Sequence, residues 1–320
     1  MERVAAIDVG TNTILLLIAE VDAGGLRALF ESQTVVRLGE GLHRNALLSP
    51  EAMNRGYNAL EQCLQQCHKM AVERIFAIGT SVLREAKNAR EFTGNVKKRF
   101  DILIEIISGE EEAKLSYLAM AQDLQNFAVP RKKMMVVDVG GGSTEFVLGQ
   151  GNHMAQWVSL PLGSIRLTEQ FLVSDPVSER DWSQMQKEID RLLEKMPHSE
   201  KPPFMVAVGG TATTLASVEL GLREFRVEKI DHFLLTREAL ARQLSLYRSR
   251  TVEQRKKIPG LAPNRADIIV AGGAIVYSAM ERADCSSVMI STHGIRYGLL
   301  YEKLGLFKWN SDRANRCGHA

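Results

Sequence analysis

The stretch that decides the fold is Val4-Ala-Ala-Ile-Asp8-Val-Gly10-Thr-Asn-Thr13, which returns as Met134-Met-Val-Val-Asp138-Val-Gly140-Gly-Gly-Ser-Thr144. Each copy is an apolar run that ends in Asp-x-Gly followed by small hydroxyl residues. An apolar run resumes after each copy, at 14–19 and at 146–148. The pattern therefore predicts two β-hairpins that carry polar residues at their tips.

Two such tips facing each other would form one clamp for a phosphate group. Glycines let backbone N–H groups approach a phosphate, hydroxyls add donors, and an aspartate at a strand end can hold a divalent cation through water. Because the chemistry of the stretch is repeated, two related structural units are expected.

Length and composition favour a two-domain globular protein. The chain has 320 residues with 45% hydrophobic and 24% charged residues, and about 150 residues per domain is usual. The longest apolar run, 14–19, is too short for a membrane span. A strand begins almost at the N-terminus and leaves no room for a secretory signal, so a cytoplasmic location is expected. A net charge of +2 predicts no general attraction to nucleic acid or membranes.

The four cysteines do not form the pattern of a disulfide framework. Cys63, Cys67 and His68 are the one grouping that resembles a metal site, on a stretch that is helical by pattern. Because no second Cys or His pair lies nearby in sequence, buried thiols are favoured over zinc.

The order of apolar runs and turn signals predicts two mixed α/β units. Predicted strands after the first hairpin are 26–36, 74–78, 102–107, 204–208, 268–271 and 287–291, and predicted helices are 49–72, 83–100, 178–196, 211–219 and 236–251. The first domain is expected to cover 1–125 together with 297–320, and the second 126–296. The boundary is placed in the polar stretch 123–133, and 310–320 is expected to be a loose tail.

Two further glycine turns, Gly209-Gly210 and Gly272-Gly273, follow apolar runs in the second half. Each is predicted to join a buried strand to a helix, where free N–H groups can bind phosphate. Tight packing explains a single Gly-Gly pair equally well. Four such turns together are harder to explain by packing alone.

These motifs resemble the actin, Hsp70 and sugar kinase superfamily and, within it, the Ppx/GppA family over nearly the whole chain. The narrowing segments are Gly79-Thr-Ser-Val-Leu-Arg84-Glu-Ala-Lys-Asn88 and Ser108-Gly-Glu-Glu-Glu112-Ala-Lys-Leu-Ser-Tyr117. Further segments similar to the family are 160–167, 209–213, 258–268 and 294–296. The resemblance implies two related actin-like domains of mixed sheets and flanking helices, with the active site in the cleft between them. It also implies a homodimer, and Mg²⁺, with a monovalent cation such as K⁺, as cofactor.

One departure lies in Gly294-Ile-Arg296-Tyr297-Gly298, where Tyr297 replaces the family's glutamate. If that glutamate supports the catalytic site, its loss would weaken the site. The chain is similar to the family's short two-domain members, which lack a C-terminal helical domain.

By resemblance, Glu112 is the base that orients the attacking water, and Asp8, Asp138 and Glu145 hold Mg²⁺. Each has a simpler interpretation. Ser108 and the glutamates after it fit a helix N-terminus, with Glu111 assigned to a capping box. Asp138 could satisfy turn N–H groups, and Glu145 could face water on its strand. Resemblance favours the catalytic roles of Glu112, Asp138 and Glu145.

The phosphate contacts implied by the same resemblance are Thr11, Asn12, Thr13, Arg84, Gly140, Gly141, Gly142, Ser143, Thr144, Gly209, Gly210 and Thr211. Arg84 is the strongest basic candidate because a guanidinium binds phosphate oxygens bidentately. A surface arginine paired with Glu85 is the alternative. Arg166, Arg265 and Arg296 lie in family-like segments, but the pattern alone does not place them at the cleft.

The leading hypothesis is an exopolyphosphatase that hydrolyses the terminal phosphoanhydride of inorganic polyphosphate. The nearest alternative is 5′-phosphate removal from guanosine pentaphosphate, which is the same chemistry on a nucleotide. A kinase that uses the same clamp, and a sensor that binds guanosine tetraphosphate without turnover, are further alternatives.

Overall fold

The computed structural model describes residues 1–22, 25–126, 133–200, 203–307 and 309. Two mixed sheets form its frame. The first has the order β3-β2-β1-β4-β5. Its strands are β1 (Glu2–Val9), β2 (Thr13–Asp22), β3 (Gly25–Val35), β4 (Arg74–Gly79) and β5 (Ile104–Ile106). Its helices are α1 (Leu42–Asn45), α2 (Pro50–Lys69), α3 (Ser81–Glu85), α4 (Ala89–Phe100) and α5 (Gly109–Asp123).

The second sheet has the order β10-β11-β9-β6-β7-β8. Its strands are β6 (Met134–Val139), β7 (Thr144–Gln150), β8 (His153–Leu160), β9 (Phe204–Val208), β10 (Leu234–Thr236) and β11 (Ser287–Ile290). The helices after β8 are α6 (Ser164–Phe171), α7 (Glu179–Leu193), α8 (Gly209–Glu219), α9 (Val227–Ile230), α10 (Arg237–Arg248), α11 (Val252–Arg255), α12 (Ile269–Arg282) and α13 (Ile295–Lys303). Short 3-10 helices cover Leu124–Asn126 and Pro263–Arg265.

The two predicted hairpins have the same geometry. β1 pairs antiparallel with β2, and β6 pairs antiparallel with β7. In the first turn Gly10 N donates to Thr13 O at 3.0 Å, and in the second Gly140 N donates to Ser143 O at 3.0 Å. Next to each hairpin a strand joins in parallel, β4 beside β1 and β9 beside β6. The sequence repeat is therefore a repeat of topology.

The helices α5 and α13 share one apolar core with both sheets. This core contains Ala6 and Ile78 from the first sheet and Val136 and Val206 from the second, with Tyr117 of α5 among its fully buried side chains. Two further cores cover the outer faces of the sheets. The mixed α/β class with helices flanking two sheets is confirmed. The domain limits stay a prediction, and much of the 123–133 boundary and the 310–320 tail lie outside the described residues.

Two element predictions were wrong. The run 268–271 is not a strand but the start of α12, because this apolar segment packs as a buried helix. A Cβ on Gly272 would lie 2.7 Å from Thr211 Cγ2, so the glycine lets α12 approach α8. The predicted helix 83–100 is broken into α3 and α4 before Asn88, whose side chain bonds both Leu48 N and Leu48 O.

Cys63 and Cys67 are buried thiols on α2, and burial raises the pKa of Cys63 to about 11. His68 beside them is exposed. Across the described parts of the chain, no helix has the length and apolar character needed to cross a membrane.

Candidate active site

A cavity of about 630 Å³ opens where both hairpin turns and the start of α8 converge. The predicted site residues that line it are Asp8, Thr11, Asn12, Thr13, Glu112, Asp138, Gly140, Gly141, Gly142, Ser143, Gly209 and Gly210. The hairpin turns face each other closely, since a Cβ on Gly142 would lie 2.9 Å from Thr11 Oγ1. The structure thus brings most of the predicted residues into one cleft.

Four of the predicted site residues are not among those that line the cavity. Thr144 Oγ1 donates to the carbonyl of Leu162, and the Thr211 side chain packs against α12. Glu145 is the cross-strand partner of Asp138 and accepts a hydrogen bond from Ser159 Oγ at 2.7 Å. Arg84 contacts Glu112. These side chains support the wall of the cleft.

The start of α5 positions Glu112. Ser108 Oγ accepts from Glu111 N at 3.1 Å, and Glu111 Oε2 accepts from Ser108 N at 2.7 Å, which is the predicted capping box. Glu112, one residue further along the helix, is buried at the cavity. Burial raises the pKa of Glu112 to about 7, although the charge of Arg84, 2.5 Å away, opposes the shift.

Three further carboxylates crowd around Glu112. Burial, with the negative charges of Glu112 and Asp138, raises the pKa of Asp8 to about 8. Burial also raises the pKa of Asp138, against a hydrogen bond from Ser116 Oγ at 2.7 Å. The pKa of Glu145 lies well above its usual range because of burial and the charges of Glu112 and Asp138. The site therefore brings four carboxylates together in surroundings that disfavour their ionised forms.

One oxygen of this group lacks a partner. Oδ1 of Asp8 is buried and makes no hydrogen bond within the described chain. The residues predicted to hold the cation, Asp8, Asp138 and Glu145, do not form a trio with ligand atoms all within 4.8 Å, judged over the described ranges. A cation held by them would need further ligands.

The structure also shows which of the unplaced arginines reach the cavity. Arg265 and Arg296 line it, whereas Arg166 is paired with Glu85 and donates to Gly142 O at 3.0 Å. Arg296 donates to Leu16 O at 2.7 Å and to Glu31 Oε2 at 2.8 Å. The family-like segments were the sequence signal for these arginines.

Arg265 is the arginine best placed for an anion. Its side chain is 7% exposed, and burial lowers its pKa to about 10. A Cβ on Gly210 would lie 1.9 Å from its Nη2, so a larger residue at position 210 would displace the guanidinium from where it lies. In the part of the chain that the structure describes, its guanidinium has no hydrogen bond and no ion pair. A buried unpaired charge at a cavity is costly unless a ligand neutralises it.

Polar contacts join the two walls of the cleft. Arg37 of the first unit lies 2.8 Å from Asp267, and His43 Nδ1 lies 2.7 Å from Glu169 Oε2. Gly41 N also donates to Glu169, at 3.1 Å. These contacts connect residues of the first unit to residues of the second across the cleft.

The sequence model of the Ppx/GppA phosphatase family matches residues 17–307. The chain belongs to the Ppx/GppA phosphatase family. A relative named Exopolyphosphatase 2, from Mycobacterium tuberculosis, is 32% identical over 95% of this chain and 99% of its own length. The guanosine-5'-triphosphate,3'-diphosphate pyrophosphatase of Vibrio vulnificus is 29% identical over 98% of this chain.

Not all Ppx/GppA relatives have the same length. This chain spans 62% of the Vibrio protein and 46% of a bifunctional 3-dehydroquinate synthase/phosphatase from Fusobacterium nucleatum, with which it is 30% identical over 93% of its own length.

Solved structures agree with the fold. An exopolyphosphatase from Cytophaga hutchinsonii superposes with a TM-score of 0.88 at 28% identity, covering 96% of this chain and 99% of that one. The Aquifex aeolicus family member superposes with a TM-score of 0.80 at 31% identity, covering 95% of this chain and 98% of that one.

Proposed function

We propose that this protein hydrolyses the terminal phosphoanhydride of inorganic polyphosphate and releases orthophosphate, with Glu112 as the general base. The observation that carries the proposal is the position of Glu112, a buried carboxylate at a cavity that two glycine-rich turns also line. A pKa of about 7 lets this carboxylate accept a proton near neutral pH. The exopolyphosphatase relative of nearly equal length supports the same choice.

The chain's own groups can position the terminal phosphate. Residues of both turns and Arg265 line the cavity. Turn N–H groups and a guanidinium are donors that bind phosphate oxygens. The oxygen of a water molecule attacks the terminal phosphorus while Glu112 accepts the water's proton. The bond from that phosphorus to the bridging oxygen breaks, and its electron pair leaves with the shortened chain.

Asp8, Asp138 and Glu145 are the residues that we propose hold Mg²⁺. The unpartnered Oδ1 of Asp8 and the mutual repulsion of the carboxylates fit a divalent cation. Mg²⁺ takes one or two carboxylates and completes its shell with water and phosphate oxygens, so it does not need all three carboxylates in one tight group. When bound, the ion would neutralise charge on the phosphates and stabilise the departing oxygen. The monovalent cation stays a prediction from the resemblance.

A second candidate is hydrolysis of guanosine pentaphosphate. One part of the cavity wall is apolar and includes Leu222, Phe225 and Val227, of which Phe225 is 61% exposed. Polyphosphate has no apolar surface to cover such a side chain, whereas a purine base could stack on it. The named activity of the Vibrio relative points to the same class of substrate.

Orthophosphate release from polyphosphate and from guanosine pentaphosphate, at matched concentrations with Mg²⁺, separates the candidates. We expect turnover of polyphosphate that Phe225→Ser leaves unchanged. Leu103→Ser is the matched control, because Leu103 is 74% exposed and outside the cavity lining. A strong preference for the nucleotide that Phe225→Ser abolishes would reverse the order of the candidates.

Two other outcomes would overturn the hydrolase proposal itself. Tight binding of guanosine tetraphosphate without any phosphate release would identify a sensor. Formation of ATP from ADP and polyphosphate would identify a kinase. Metal-assisted hydrolysis needs carboxylates such as Asp8, Glu112 and Glu145, which are buried, and Asp138, which is half-buried, and this set argues against the sensor.

We also propose a homodimer, which rests on the family resemblance alone. Analytical ultracentrifugation of the full chain should give the mass of a dimer. A monomer over the whole concentration range would contradict this.

A further inference from the structure

A second group of ligating side chains lies at the far end of α5 from Glu112. Its members are Asp123, Asp231 and His293, whose ligand atoms all lie within 4.8 Å of one another. Asp123 ends α5, Asp231 follows α9, and His293 lies between β11 and α13. The fold therefore brings together three residues that are far apart in sequence.

The imidazole of His293 faces both carboxylates and forms an ion pair with Asp123 when it is protonated. Its Nδ1 lies 3.2 Å from Asp123 Oδ1 and 3.9 Å from Asp231 Oδ2. This nitrogen is buried, yet it makes no hydrogen bond of acceptable geometry with any described residue. Ligands bound to one zinc ion at 2.0–2.1 Å lie roughly 3.3 Å from each other in a tetrahedron. The nitrogen and the nearer oxygen already have this separation.

Neighbouring groups hold the other oxygen of each carboxylate. Asp123 Oδ2 lies 2.9 Å from His232 Nε2 and accepts from Ser291 Oγ at 3.3 Å. Asp231 Oδ1 accepts from Thr292 N at 2.8 Å and from Thr292 Oγ1 at 3.0 Å. Each carboxylate is thus oriented through one oxygen. The other oxygen of Asp123 faces His293, whereas the other oxygen of Asp231 lies between His232 Nδ1, at 3.5 Å, and His293 Nδ1, at 3.9 Å. Orientation of ligands through their second atom is typical of metal sites.

The charge of the group also suits a cation. Both aspartates pair only with the histidines, and no lysine or arginine of the described ranges forms an ion pair with either. With neutral imidazoles the group carries two negative charges. An imidazole ligand favours zinc-like transition metals over Mg²⁺, which prefers oxygen ligands only.

We propose that Asp123, Asp231 and His293 bind one transition metal ion of the Zn²⁺ type, with His232 orienting Asp123. Three protein ligands leave one position for water. The site is separate from the catalytic one, because Asp123 and Glu112 lie eleven residues apart on α5, about 16 Å along a helix that rises 1.5 Å per residue. A bound ion would fasten the end of α5 to the connections around α9 and α13.

The test is metal binding by the full chain after chelator treatment, with Mg²⁺ in excess to occupy oxygen-only sites. Co²⁺ should give the strong visible absorption of a four-coordinate ion, and Zn²⁺ should displace it at one ion per chain. His293→Ala and Asp231→Asn should lose this ion. His232→Gln should keep it with affinity weakened about 10- to 100-fold. His68→Ala, which changes an exposed histidine, should behave as wild type.

Cys317 and His319 could bind metal by themselves, so all measurements use a chain that also carries Cys317→Ser and His319→Ala. Circular dichroism confirms that each variant is folded. If His293→Ala does not fold, the metal binding of Asp231→Asn and the Co²⁺ spectrum of the parent chain test the proposal instead. No tight Zn²⁺ in the parent chain, or equal uptake by the folded ligand variants, would overturn the proposal.

Discussion

Nη1 of Arg84 lies 2.5 Å from Oε2 of Glu112 and donates to the carbonyl of Ile107 at 3.1 Å. The arginine predicted to bind phosphate is therefore paired with the residue predicted to activate water. Its charge favours the ionised form of Glu112, against the effect of burial. Arg84 therefore favours an ionised Glu112, as the proposed role of Glu112 as the base requires.

Arg84→Met should move the pH dependence of hydrolysis. Without the guanidinium, the pKa of Glu112 rises above about 7, so less of the base is ionised at neutral pH. The acidic limb of kcat/KM for phosphate release should shift to higher pH. Arg90→Met, which changes an exposed arginine, is the control. An acidic limb at the wild-type pH in Arg84→Met would show that Arg84 does not act on the base.

Asp8→Asn should stabilise the metal-free protein at alkaline pH. The folded-state pKa of Asp8 is raised from 3.8 to about 8. The contribution of Asp8 to the stability of the folded protein is therefore fully present below about pH 4 and is lost as the pH rises through about 8. At about pH 9 the variant should have a higher free energy of unfolding than the wild type, because it carries no buried negative charge at this position. Urea unfolding with a chelator measures this, with Asp190→Asn, at an exposed site, as control. Parallel stability curves for wild type and Asp8→Asn would contradict the assignment.

Arg265→Met should separate substrate binding from stability. Removing an unpaired buried charge should leave the free energy of unfolding unchanged or higher, while KM for polyphosphate rises at least about tenfold. Orthophosphate should raise the melting temperature of wild type but not that of the variant. Arg180→Met, at an exposed arginine, controls for net charge. An unchanged KM together with an unchanged phosphate effect would remove Arg265 from the site.

Tyr297, where the resemblance implies a glutamate, donates its hydroxyl to Glu31 Oε1 at 2.6 Å, beside Arg296. Tyr297→Phe should cost roughly 1–3 kcal/mol, the usual range for a hydrogen bond to a charged group. Tyr297→Glu should cost more, because it places a second carboxylate against Glu31. Adding Glu31→Gln to Tyr297→Glu should recover part of the loss in urea unfolding. Equal effects of Tyr297→Phe and Tyr297→Glu would show that Glu31 does not select the residue at 297.

The hairpins could be predicted because their signal is local: an apolar run, Asp-x-Gly, a short turn and a second apolar run. That their tips face each other was expected because the stretch is repeated. The capping box at Ser108 and Glu111 is local as well. The prediction of a strand at 268–271 was wrong because a short apolar run is equally typical of a buried strand and of a buried helix. Only its packing against α8 distinguishes them.

The wall of the cleft depends on contacts between residues that are far apart in sequence, and the spacing of motifs does not predict such contacts. Arg265 reaches the cavity because Gly210 leaves room for its guanidinium, and these residues are 55 positions apart. Thr211, in contrast, points at α12 rather than at the cavity, although it continues the same glycine motif. Which side of a helix start faces a ligand is decided by tertiary packing.

The measurement that tests the central claim most directly is Mg²⁺-dependent orthophosphate release from polyphosphate by wild type and Glu112→Gln, with binding followed in parallel. We expect Glu112→Gln to bind polyphosphate normally and to lose turnover by about 10²- to 10⁴-fold, as removal of a general base does. Glu111→Gln, the capping residue beside it, should keep most of its activity. Full turnover in Glu112→Gln would contradict the account.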